Sequence, residues 1–204
     1  MENAEILRYL GYRGRPADAA VLEKIEEVKH ALERVIAPAH IAGTWDVQIE
    51  EDTVFLAGRT FQSHALARHL CGCKQAVLLA ATLGTGADTC IRQYTASAME
   101  KAVIAQAVCA ARIEQYCDSV TSELSYPTPR FSPGYGDFSL QYQRDILQLL
   151  DCAKRIGLTM NDAYMLLPSK SVTALIGLRG GARSDRRGCA QCAKKDCQYA
   201  RKEG

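Results

Sequence analysis

The sequence predicts an α+β fold: a mixed sheet with flanking helices and one long central helix. Three observations carry this. Helical and strand periodicities both occur, but without the regular alternation a doubly wound sheet would show. From Ile91 to Leu124 apolar residues recur every three or four positions, in a stripe rich in alanine. From Val172 to Leu178 apolar residues alternate cleanly at every second position.

The elements follow in order. Pro16 suits a first helical turn, and Val21, Ile25, Val28, Leu32 and Val35 form one apolar face, so residues 16–36 read as a helix. Trp45 to Gly58 alternates loosely around Glu51-Asp52 and reads as a hairpin. Ser63 can cap a short helix that ends near Gly72. Gln75 to Leu83 is a short apolar run, predicted as a buried strand. The long helix follows the Gly84-Thr85-Gly86 turn; its small residues let another element approach its axis, and Pro127 and Pro129 end it. Residues 139–156 form a further helix, capped by Gly157, before the final strand.

Composition sets the class. The chain has 204 residues, 48% hydrophobic and 24% charged, enough for one sizeable core. No stretch is long and apolar enough to span a bilayer, and the acidic Met-Glu-Asn-Ala-Glu start lacks the basic and apolar runs of a signal peptide; a cytoplasmic protein with no membrane partner is expected. The net charge of +2 is uneven. From Arg179 onward there are eight basic and three acidic residues, 8 − 3 = +5, which leaves −3 on the remainder. The division is therefore a body over residues 1–180 and a basic tail over 181–204. The tail suits an acidic partner surface or plain solvation; without interleaved aromatics it does not suit nucleic-acid readout.

Three segments could carry chemistry. Gly84-Thr85-Gly86-Ala87-Asp88 lies between strand and helix, where backbone amides can meet an anion. Thr89 stands where a dinucleotide fingerprint would need glycine, and no phosphate-loop lysine is present. A plain turn with Asp88 as helix cap is the better reading. The second segment is Arg130-Phe131-Ser132-Pro133-Gly134-Tyr135-Gly136, a loop stiffened by Pro133 and free to turn at Gly134. Arg130 offers a planar fork for a carboxylate, and Tyr135 a ring and a hydroxyl. S-adenosylmethionine carries a carboxylate, a sulfonium and an adenine, so the residue types fit it, as they also fit an ordinary surface loop.

The third segment is the tail's Cys189-Ala-Gln-Cys192…Cys197. Thiolates at C-x2-C-x4-C spacing can grip zinc or an iron–sulfur cluster. A fourth ligand would have to come from elsewhere, with Cys71, Cys73 or Asp196 as candidates. The other cysteines are scattered, as expected of buried thiols in a reducing compartment. His30, His40, His64 and His69 are not spaced as a ligand set, and no nucleophile triad or carboxylate pair stands out.

The second segment resembles the activation (S-adenosylmethionine-binding) domain of cobalamin-dependent methionine synthase. That family has an Arg-Pro-Ala-Pro-Gly-Tyr-Pro signature. Arg130, Pro133, Gly134 and Tyr135 match it; Phe131, Ser132 and Gly136 depart. Downstream, Gly157-Leu158 and Pro168-Ser169-Lys170-Ser171-Val172-Thr173-Ala174 follow the family's order and spacing, and the likeness covers about residues 75–178.

The resemblance implies a free-standing activation-domain-like protein. By it, Arg130 would bind the carboxylate of S-adenosylmethionine, Ser132, Pro133 and Gly134 would contribute mainly backbone contacts, and Tyr135 would line the site. It implies an accessory subunit or activator that supports reductive methylation of cobalamin held on a partner. That partner would be a methionine synthase subunit or another corrinoid protein, with a flavodoxin-like reductant. Two departures, the family's aromatic-rich opening and its Tyr-bearing closing segment, leave the site incomplete, weaker or finished by a partner chain. The competing reading is a metal- or iron–sulfur-binding redox or interaction protein built on the cysteine tail.

Overall fold

A computed structural model describes residues 3–12 and 15–180. The cysteine tail, with Cys189, Cys192 and Cys197, lies outside the described residues. The chain runs α1 (Asn3–Tyr9), α2 (Ala19–Glu33), β1 (Ala39–Glu50), β2 (Thr53–Leu56), β3 (Arg59–Gln62), α3 (His64–Leu70), β4 (Cys73–Thr82), α4 (Thr85–Ser97), α5 (Met99–Thr121), α6 (Gln143–Leu149), α7 (Cys152–Ile156), β5 (Thr159–Met160), β6 (Leu166–Leu167) and β7 (Ser171–Arg179). The α+β expectation holds, but the expected mixed sheet is antiparallel in every described pairing. The main sheet has the order β3-β2-β1-β4-β7, and β5 pairs with β6 apart from it. β1 is long enough to serve two neighbours, with Ala39–Asp46 on β4 and Val47–Glu50 on β2.

β4 divides the interior, because successive side chains point to opposite faces. Ala76, Leu78 and Ala80 join Phe61, Leu66, Leu70, Phe138, Ile146 and Leu175 on one face. Ala81 joins Ile25, Val28, Leu32, Ile91, Ile104 and Val108 on the other. Val77 and Leu79 meet Ile176 there, beside Val120 and Leu124. Helices α1, α2, α4 and α5 thus cover one side of the sheet; α3, α6, α7 and the loop after α5 cover the other. Each fully buried large apolar side chain contributes about 1.5–3 kcal/mol.

Several elements match expectation. The turn between β1 and β2 falls at Glu51-Asp52, and Ser63 caps α3 by accepting the amide of Leu66 at 3.1 Å. Gly157 ends α7 with φ +64. Pro16 lies outside α2, which begins at Ala19.

The single long helix does not exist as such. It is α4 and α5, broken at Ala98, whose φ −157 and ψ 79 are extended. Just before the break, Thr95 Oγ1 and Ser97 Oγ donate to the carbonyls of Ile91 and Gln93, back-bonding that competes with the helical ladder. The helices then fold against each other, with α5 also packing on α1 and α2. The helix expected over 139–156 is likewise divided: a 3-10 turn over Leu140–Tyr142, then α6, then a left-handed Asp151 (φ 49) before α7.

Candidate functional site

β7 is an edge strand, and its free edge carries backbone groups that need partners. The segment after α5 supplies them. Thr128 donates its amide to the carbonyl of Gly177 at 2.8 Å. Phe131 and Leu175 exchange both backbone bonds, at 2.9 and 2.8 Å. Thr128 Oγ1 accepts the Gly177 amide at 2.9 Å. Pro127 and Pro129 flank Thr128 and have no N–H to offer a further strand. The close approach needs Gly177: a Cβ there would lie 2.5 Å from Cys73 Sγ and 3.1 Å from Thr128 Cγ2.

This docking carries Arg130 to α5. Its Nη1 donates to Asp118 Oδ1 at 2.7 Å and its Nη2 to Glu114 Oε2 at 2.6 Å. Glu114 and Asp118 are one turn apart, so their like charges share a face and need a cation between them. The Arg130 side chain is 17% exposed. Burial pulls its pKa down, but the two carboxylates outweigh that and hold it above its ordinary value. Two of the five guanidinium N–H groups are thereby engaged among the described residues. The N-terminal helix is a neighbour: burial, and after it the charge of Glu114, pushes the Tyr9 hydroxyl above its usual range.

The next residues make a tight turn. Tyr135 donates its amide to Ser132 O at 3.1 Å, and Gly134 donates to Phe138 O at 2.6 Å. Gly134 has φ +94, the backbone conformation that favours glycine, and a Cβ there would press on the exposed Leu140 Cδ2 at 3.0 Å. Pro133 is buried, while Tyr135 is 56% exposed, with its ring edge-on to Phe131 at 5.7 Å. The Arg130 guanidinium thus lies on two α5 carboxylates, while the turn that carries Ser132, Pro133, Gly134 and Tyr135 follows it directly and docks on α3 through Asp137.

Two supports escape a reading of the sequence. Asp137 accepts from Ser63 Oγ at 2.6 Å, from the His64 amide at 2.9 Å and from the Ala65 amide at 3.0 Å. It thus adds a second cap to α3 from across the chain. The Ser63 hydroxyl foremost, then the Ala65 amide, holds its carboxyl below the usual range. His69 on α3 reaches Pro129 O and Thr128 Oγ1, both at 2.9 Å, and stacks on Phe131 at 4.7 Å. Burial holds its pKa down, helped by the nearby Arg179 charge. A carboxylate next to the Pro-Gly-Tyr turn was the only signal in the sequence for Asp137, and its partners lie more than seventy residues away.

The glycine turn before α4 is a packing device. A Cβ on Gly86 would lie 1.9 Å from the carbonyl oxygen of Val35. Asp88 does not cap α4; it accepts the amide of Ser169 at 2.8 Å and also the Ser169 hydroxyl, fixing the approach to β7. A shallow pocket between α2 and α5, bordered by Lys29, Leu32, Cys109 and Arg112, shares no residue with the Arg130 turn. Among the described residues no group of three or more His, Cys, Asp or Glu is placed to hold a metal ion, and no helix is long and apolar enough to cross a membrane.

Two layers of cover on an antiparallel sheet, with a loop sealing the edge strand, define an α+β protein whose candidate site sits on that loop. Among solved structures, the chain is similar to the MetH reactivation domain bound to AdoHcy, with a TM-score of 0.54 at 13% sequence identity. The match covers 90% of this chain and 78% of that one. No protein-family model and no curated protein matches the chain. The likeness is one of fold.

Proposed function

We propose that the chain binds S-adenosylmethionine at the Arg130–Tyr135 turn and serves as an accessory module for methyl transfer to a corrinoid protein. The observation that carries this is the setting of Arg130, a largely buried guanidinium held between Glu114 and Asp118, which engage two of its five N–H groups among the described residues. The amino-acid end of S-adenosylmethionine carries a carboxylate and an ammonium. Arg130 faces the first; the α5 carboxylates, already at that spot, face the second. The exposed Tyr135 ring and the backbone of Ser132, Pro133 and Gly134 supply the adjoining wall. A fold shared with a domain that binds AdoHcy supports the same ligand class.

S-adenosylmethionine supplies the methyl group; the chain's part is to bind and orient it at an exposed edge that a partner can reach. The partner in this reading is a cobalamin-binding methionine synthase subunit or a related corrinoid protein, with a flavodoxin-like reductant serving the pair. Calorimetry with S-adenosylmethionine and AdoHcy tests the ligand. Arg130→Ala should weaken binding by the ~1.5–3 kcal/mol of a hydrogen bond to a charged group. Absence of heat with either ligand, both alone and with a corrinoid protein present, would remove the reading.

A further inference from the structure

The end of α3, the start of β4 and the end of β7 meet at one corner of the sheet, and two thiols stand there two residues apart. Cys71 closes α3 and is exposed; Cys73 opens β4 and is buried. Gly72 turns the chain between them at φ +77. Consecutive Cα atoms lie ~3.8 Å apart, so Cα atoms two residues apart are separated by at most about 7.6 Å. A turn at the middle residue brings them within the ~4.4–6.8 Å that a disulfide spans.

The surroundings favour reaction at this pair. Arg179 is the partner of Cys73 across the sheet, and its Nε is buried with no hydrogen-bond partner among the described residues. Burial pushes the Cys73 thiol up, while Arg179 opposes the shift and so favours the thiolate. The β4–β7 register shifts between Cys73 and Gln75, which interrupts the ladder beside the thiol. Cys73 Sγ also sits over Gly177, where a Cβ would lie 2.5 Å from it and 3.1 Å from Thr128 Cγ2. Thr128 clasps Gly177 through both its amide and its hydroxyl, and His69, two residues before Cys71, holds the same hydroxyl at 2.9 Å.

We propose that Cys71 and Cys73 form a thiol–disulfide exchange site, oxidised by small-molecule disulfides of the glutathione class, and that their bond loosens the Thr128–Gly177 clasp. The exposed Cys71 thiolate attacks one sulfur of the small disulfide, breaks its S–S bond and releases one small thiolate. The Cys73 thiolate then attacks Cys71 Sγ, closes the internal bond and expels the second small thiolate. Two cysteines are oxidised, one small disulfide is reduced to two thiols, and the two protons lost by the cysteines pass to them. The bond draws Cys73 Sγ toward Cys71 and off Gly177, so the contacts that press Thr128 into place are lost. A ring closed over one residue is tight, which keeps the bond readily reducible. This inference does not rest on the S-adenosylmethionine reading.

The test uses the full chain, reduced and then equilibrated with oxidised and reduced glutathione at rising ratios before free thiols are alkylated. Cleavage after Arg68 and Lys74 releases residues 69–74, which hold Cys71 and Cys73 and no other cysteine. This peptide should pass from a doubly alkylated form to an unalkylated one lighter than the dithiol by two hydrogens, and dithiothreitol should reverse the change. In Cys73→Ser, Cys71 should instead retain glutathione, because the thiol that resolves it is gone. Hydrogen exchange followed by NMR should show the Thr128 and Gly177 amides losing protection in the oxidised parent and keeping it in Cys71→Ser treated alike. A parent peptide that stays doubly alkylated up to pure oxidised glutathione, keeps glutathione on Cys71, or joins another cysteine would overturn the proposal. So would full protection of both amides in the oxidised parent. Cys71 is exposed, so its serine variant keeps the core, and it and the parent alone decide the outcome.

Discussion

The two faces of the sheet are built by different chemistry. The helical face is filled by aliphatic side chains and alanines from α2, α4 and α5. The loop face is aromatic and polar. Phe138 stacks on Tyr142 at 5.3 Å and meets Phe61 and Phe131 at 6.0 and 6.1 Å. The buried polar residues Ser63, Thr128, Gln143 and Thr173 lie on this face, and strand alternation puts Thr82 there too. Aliphatic packing tolerates rearrangement as long as volume is kept. Directional hydrogen bonds fix positions, and an unmatched buried partner is expensive. The face that carries the Arg130 turn is thus the face whose geometry is fixed atom by atom.

That contrast can be broken by a pair of truncations. Phe138→Ala removes the centre of the aromatic cluster and should cost about 3–5 kcal/mol in denaturant unfolding. Gly134 donates its amide to Phe138 O, so the turn should loosen as well and S-adenosylmethionine binding should weaken beyond what the stability loss explains. Ile25→Ala, fully buried on the helical face, should cost a comparable ~2–5 kcal/mol yet leave the affinity of the remaining folded protein unchanged. Equal loss of affinity in both variants would erase the distinction between the faces.

A smaller effect is expected at the double cap of α3. Asp137→Ala removes the acceptor for two amides and one hydroxyl at a helix start, which should cost about 0.5–2 kcal/mol. The folded carboxyl is held below its usual range, so its contribution is present above the unfolded value near ~4 and is lost as the pH falls through the folded value. The difference between parent and Asp137→Ala should therefore close in acid. A gap that persists to the lowest measurable pH would show that the side chain acts by packing and not as a charged cap.

Local patterns in the sequence were readable where neighbours along the chain decide the outcome. The β1–β2 turn, the Ser63 cap, the Gly157 stop and the β7 alternation all depend on residues within a few positions. The breaks at Ala98 and Asp151 were hidden because neither residue is a helix breaker and the apolar spacing continues across both. The sheet's antiparallel order was hidden because pairing partners are set by long-range packing. The site was half readable for the same reason. Arg130, Pro133, Gly134 and Tyr135 stand together in the sequence, but Glu114, Asp118, Asp137 and His69 reach the turn only through the fold. The charged partners on α5 were visible only as two acids on a helix that seemed to serve packing alone.

The smallest predicted effect concerns the strap that ties this turn to α3. His69 Nε2–H donates to Pro129 O, one residue before Arg130, and the half-buried ring stacks on Phe131. Burial keeps its folded pKa below the ordinary value near ~6.5, so the unfolded chain takes up a proton first as the pH falls. Stability contributed by the neutral ring is complete above ~6.5 and declines as the pH drops toward the folded value. His69→Gln keeps a donor for Pro129 O but cannot titrate. Its denaturation midpoint should start slightly below the parent's at pH 7.5, through lost stacking, and fall less steeply below ~6.5. Parallel midpoint curves for the two proteins would show that this imidazole is not what makes the turn's anchorage sensitive to pH.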